Sequence, residues 1–127
     1  MSLHFTLEIE EGIPVSSLFR LAEALGGVKS DDHIWFEASG TNLFIEDARG
    51  NLVVGAEEPS LTWRVGARCY AFIRPSTYDD GWRDLERFVR SLAEHFSQRF
   101  VLSFEYSSIF AVRDESGLHF LKSGLAT

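Results

Sequence analysis

A chain of 127 residues with 45% hydrophobic and 24% charged side chains has the size and balance of one globular domain with a single core, not of a disordered segment. No run reaches the roughly 18 apolar residues of a membrane-spanning helix, and Met1-Ser2-Leu3-His4 lacks the basic start and apolar core of a signal peptide, so a cytoplasmic address is expected. The net charge of −7 sits in one half: residues 1–61 hold 11 acids and 3 bases (net −8), residues 62–127 hold 8 acids and 9 bases (net +1), a distribution that argues against nucleic acid and anionic membrane as partners and suits a basic protein.

Leu3 to Glu10 alternates, with Leu3, Phe5, Leu7 and Ile9 on one side and His4, Thr6, Glu8 and Glu10 on the other. That is a strand with one face in the core and one in water. Val15 to Leu25 reads as a helix burying Val15, Leu18, Phe19, Ala22 and Leu25, with Gly26-Gly27 as its stop. Ser30-Asp31-Asp32 is a polar loop or capping stretch. Three short strands are expected next, His33 to Ala38, Asn42 to Glu46 and Leu52 to Ala56, the last two joined by a tight hairpin at Asp47-Ala48-Arg49-Gly50.

Thr62 to Arg74 reads as a long strand bent at Gly66, and Pro75 ends it. The helix that follows, Asp79 to Phe96, gathers Trp82, Leu85, Phe88, Val89, Leu92 and Phe96 on one face, with Asp79 or Asp80 as caps. The period then returns to two through Phe100, Leu102 and Phe104. Strands at Ile109 to Arg113 and Leu118 to Leu121 follow, turned by Asp114-Glu115-Ser116-Gly117. The fold class expected is α+β: two βαβββ-like halves, residues 1–61 and 62–127 of a single domain, forming a largely antiparallel sheet with two helices packed on it.

Paired βαβββ units resemble the vicinal oxygen chelate fold of glyoxalases and bleomycin-resistance proteins, and Asp47-Ala48-Arg49-Gly50-Asn51 is similar to that family's Asp-Pro-x-Gly-Asn turn. The resemblance implies a small-molecule binder whose metal ligands lie on the first and last strand of each module. His4 and His119 match two such positions. Leu52 to Ala56 and Cys69 to Arg74 offer no partners, so no metal and no cofactor are expected.

No ordered Ser/His/Asp set, nucleophile elbow or phosphate loop is present, and Cys69 lies in an apolar stretch without a matched base. Adjacent acids in loops are solvated rather than catalytic, and Arg83, Arg87 and Arg90 pair with acids on their own helix. The chain therefore reads as a binding protein, not an enzyme. The stretch Phe100 to Phe120, with Ser103-Phe104-Glu105-Tyr106 and Phe110-Ala111-Val112-Arg113-Asp114, is similar to small bacterial immunity proteins of polymorphic-toxin systems. That resemblance implies an antitoxin-like protein that neutralises one cognate toxin or effector; a glyoxalase-like small-molecule binder and an effector chaperone are the alternatives. The partner surface expected is acidic: Asp31, Asp32, Glu46, Asp47, Glu57 and Glu58 near turns, Asp79 and Asp80 on the long helix, with Trp35 and Trp82 as anchors.

Overall fold

A computed structural model describes residues 3–48 and 63–124. The strands are β1 (Leu3–Glu10), β2 (Val28–Ser30), β3 (His33–Phe36), β4 (Thr41–Asp47), β5 (Val65–Ile73), β6 (Phe100–Phe104), β7 (Ser108–Asp114) and β8 (Gly117–Phe120). The helices are α1 (Val15–Ala24) and α2 (Tyr78–His95). The strands form one sheet in the order β2-β3-β4-β5-β1-β6-β7-β8, and every neighbouring pair is antiparallel. The expected α+β class, with two helices on a largely antiparallel sheet, is what the chain adopts.

Both helices lie on the same face of the sheet, because their apolar stripes share one cluster with alternate residues of the strands. Leu18, Phe19 and Ala22 of α1 and Trp82, Leu85, Phe88, Val89 and Leu92 of α2 meet Phe5, Leu7 and Ile9 of β1. Beneath them β5 presents Ala67, Cys69 and Ala71, small side chains that let the second layer approach closely. Gly81 serves the same end, since a Cβ there would lie 2.5 Å from Ile73 Cγ2 and 2.7 Å from Thr41 Oγ1. The β3–β4 turn is tied to α2 by Ser39, whose buried hydroxyl donates to Asp84 Oδ2 at 2.7 Å.

Several expectations are corrected. Ser30-Asp31-Asp32 is not simply a loop: Val28–Ser30 is an extra edge strand, and Asp31-Asp32 is the two-residue turn that returns it onto β3. The outer side of β1 is not wet along its length. Thr6 and Glu8 are fully buried, because β1 lies between β5 and β6 at the centre of the sheet. No side chain caps α2 at its N-cap, Thr77; that hydroxyl donates instead to the Ser39 carbonyl, while Asp79 and Asp80 occupy the first turn at the positive end of the helix dipole. The bend at Gly66 is a register irregularity opposite Ile9/Glu10, where a Cβ would lie 2.6 Å from Glu11 Cα. The expected strand Leu52 to Ala56 and the Arg49-Gly50 end of the hairpin lie outside the described residues.

Strand, helix and three strands do follow one another twice, as β1-α1-β2-β3-β4 and β5-α2-β6-β7-β8. The pairing of the two sets differs. In the first, the meander runs from the sheet edge inward to β4; in the second it runs from β6, beside the centre, outward to β8. A two-fold exchange of like halves would set β2, not β4, against β5.

Candidate functional site

On the face turned away from the helices, the register sorts side chains into cross-strand rows. Trp35, Asn42, Phe72 and His4 form one row, and His33, Phe44, Tyr70 and Thr6 the next. Glu46, Arg68 and Glu8 form a third. From the first row to the third the side chains change from aromatic to charged. Further across, Val101 and Val65 are buried with Ala48 and Trp63 in a second, smaller apolar cluster.

The aromatic end holds a cleft of about 380 Å³ lined by His4, Asp32, Phe44, Glu46, Tyr70 and Phe72. Its walls are rings held by one another. Phe44 and Phe72 meet edge-on, with centroids 5.6 Å apart and planes at 88°. His4 lies flat on Phe72 at 4.8 Å and 6°, and His33 on Phe44 at 4.8 Å and 25°. Such contacts are each worth about 0.5–1.5 kcal/mol beyond the area they bury. The cleft is therefore shaped before anything enters it.

Its polar groups are as well placed. The Tyr70 hydroxyl donates to Glu46 Oε1 at 2.8 Å. Burial, with the Glu46 and Tyr106 hydrogen bonds added to it, pushes the Tyr70 phenol well above its ordinary value, so it remains a protonated donor. Tyr106 reaches Tyr70 from the β6–β7 turn, where both Glu105 (φ 51°) and Tyr106 (φ 65°) adopt left-handed backbone conformations. Neither is glycine, and each such residue costs on the order of 1–2 kcal/mol. Beside the cleft, Arg68 Nε donates to Glu8 Oε2 at 3.1 Å, with side chains 4% and 0% exposed. A charge pair so fully desolvated is held in place by the surrounding packing rather than by its own attraction.

The eight described candidate residues do not converge. Asp32 and Glu46 share the cleft, and Asp31, in the same turn as Asp32, is exposed with φ 51°. Asp47 is exposed at the end of β4. Trp35 is half-buried on the same face of the sheet, with the Arg74 guanidinium 5.5 Å from its ring centroid. Asp79 and Asp80 lie in the helical layer, on the other side of the sheet. Trp82 is no surface anchor: it is 1% exposed, packed against Phe5, Phe110 and Phe120, because it falls on the apolar stripe of α2. Glu57 and Glu58 lie outside the described residues.

Sequence reasoning missed His4, Phe44, Tyr70 and Phe72 as a group. The signal was present in β5, where Arg68, Tyr70 and Phe72 alternate with Ala67, Cys69 and Ala71, but both sets are apolar enough to read as a strand buried on two faces. Cys69 is buried on the helix side, and burial together with the Glu46 charge pushes its thiol far above the range of a nucleophile. His4 and His119 stand on β1 and β8, three strand spacings or about 14 Å apart, too far to share an ion. Among the described residues no three His, Cys, Asp or Glu side chains gather as a metal site requires. Arg83, Arg87 and Arg90 pair along α2 with Asp80, Asp84 and Glu86, as their spacing led us to expect. Among the described residues no helix is long and apolar enough to cross a membrane.

No protein-family model matches the chain, and neither a curated protein nor a solved structure shows significant similarity to it.

Proposed function

We propose that the chain is an immunity-type protein of the cytoplasm, which binds a cognate bacterial toxin or effector domain and neutralises it by occupying a functional surface. The observation that carries this reading is the preformed aromatic cleft on the face turned away from α1 and α2, with Asp32 and Glu46 as the charged groups and no lysine or arginine among its described lining residues. Rigid aromatic side chains are the usual anchors of protein interfaces, since they bury much area at little entropic cost. The acidic surplus of residues 1–61 adds long-range attraction for a basic partner, which raises the association rate more than the final affinity. Nothing in this role requires bond-breaking by the chain itself.

The test is co-expression with the toxin or effector encoded beside it. The expected result is restored growth and a stable complex on purification. Absence of both would overturn the proposal. A small-molecule binder is favoured by one observation, a cleft volume near the lower end of the usual ligand range. It predicts a rise in melting temperature with a small ligand from a broad panel, in the absence of any protein partner.

A further inference from the structure

We propose that this cleft receives one arginine side chain projected by the partner protein, its guanidinium lying against Phe44 and Phe72 and its N–H groups meeting the carboxylates of Glu46 and Asp32. The inference rests on the partner-binding reading above and adds to it the chemistry being recognised. Three observations carry it.

The first is the sign of the charge. Both ionised groups among the described lining residues are acids, and the arginine in the rows, Arg68, is already engaged with buried Glu8 on the next strand. Among the described residues, a cation entering the cleft meets no repelling neighbour of fixed charge. The second is the geometry of the rings. Phe44 and Phe72 meet edge-on at 88°, and the part of a ring face left uncovered by the neighbouring edge and the stacked histidines is a negative π surface that attracts a cation that has shed part of its water. His4, stacked on Phe72, and Tyr70, bonded to Glu46, keep the walls and the acceptor from turning away.

The third is the match in shape and hydrogen bonding. A carboxylate offers about four lone-pair directions, and the Tyr70 hydroxyl uses one at Glu46 Oε1. A guanidinium is flat enough to stack on a ring while its edge donates two parallel N–H bonds to a carboxylate. A quaternary ammonium has no N–H to give Glu46 or Asp32, and a lysine ammonium cannot stack. At about 380 Å³ the cleft suits a single side chain better than a cofactor.

The experiment is an NMR titration of the full chain, following the ring signals of His4, Phe44, Tyr70 and Phe72. The probe is N-acetyl-arginine amide, whose only charge is its guanidinium, and the control is its uncharged isostere N-acetyl-citrulline amide. Saturable shifts confined to those rings are expected with the arginine probe and none with citrulline. Glu46→Gln should weaken the arginine response about tenfold, the size expected for a lost charge-assisted hydrogen bond. Asp32→Asn, in an exposed turn, provides a second variant that leaves the core untouched, and unchanged melting curves confirm folding in both. Equal binding of citrulline overturns the proposal, as do non-saturating shifts spread over exposed acids such as Asp79 and Asp80. Tighter binding of tetramethylammonium than of the arginine probe also overturns it, in favour of a quaternary ammonium ligand. No toxin enters this measurement. A null titration beside intact protection in co-expression therefore refutes the arginine site alone, and a positive titration without protection refutes the immunity role alone.

Discussion

The two faces of the sheet are made from the same strands, often from adjacent residues, and they do opposite things. In β5 the helix-facing positions Ala67, Cys69 and Ala71 are small and buried, whereas the positions between them, Arg68, Tyr70 and Phe72, are large. In β4 Leu43 and Ile45 point to the helices, and Asn42, Phe44 and Glu46 point away. Size is reversed because the helices fill one side with their own bulk, so the sheet need not. On the other side the strands supply the bulk themselves, as rings packed against one another. One face thus stores stability and the other stores shape.

That difference is open to measurement. A large effect is expected on the helix side: Phe88, fully buried on α2, should cost about 3–5 kcal/mol when truncated to Ala, read by urea unfolding. Phe44→Ala, at a half-buried ring, should cost less than half of that while abolishing occupancy of the cleft. Equal losses at the two positions would erase the distinction between the faces.

Arg68→Met probes a place where the face turned away from the helices is as buried as a core. Leaving the Glu8 carboxylate buried without its strand neighbour should destabilise the chain by about 3–5 kcal/mol. A cost under about 1 kcal/mol would mean that water reaches Glu8, as at an ordinary surface pair.

A smaller effect is expected at the rim. Arg99 donates to both oxygens of Glu10, at 3.0 Å from Nε and 2.7 Å from Nη2, and holds the Glu10 carboxyl below its ordinary 4.5. The folded state thus favours the ionised form, so this stability is present above the unfolded pKa and is lost as pH falls through the lower folded value. Stability of wild type relative to Glu10→Gln should be constant at neutral pH and shrink as the medium is acidified through and below pH 4.5. A difference independent of pH would show that the bond contributes only through packing.

The smallest change is expected at Glu105. Glycine there relieves a left-handed conformation but loosens the unfolded chain, so Glu105→Gly should raise stability by no more than about 1 kcal/mol. A marked loss would mean that the Glu105 side chain itself holds the turn that delivers Tyr106 to Tyr70.

Much of this was legible in the chain. The period of two in β1 and the helical stripe from Trp82 to Leu92 mark elements that form where they were expected, because each pattern reports geometry repeated within a few residues. The same local view failed at Val28–Ser30, a strand of three exposed residues with no apolar pattern, which exists because β3 offers it a hydrogen-bonding edge. It failed again at Trp82, where aromatic character beside two acids reads as an anchor until the helix is docked.

What sequence by itself determined, then, is the position of most of the described elements and the α+β class. Tertiary structure decided the order of the strands, which alternate set the helices cover, and that His4, Asp32, Phe44 and Tyr70, far apart in the chain, line one cleft. The physical reason is that periodicity is set by backbone geometry over one turn or one pleat. The choice of sheet neighbour depends instead on contacts between residues separated by tens of positions, such as Glu8 with Arg68 and Leu7 with Leu102.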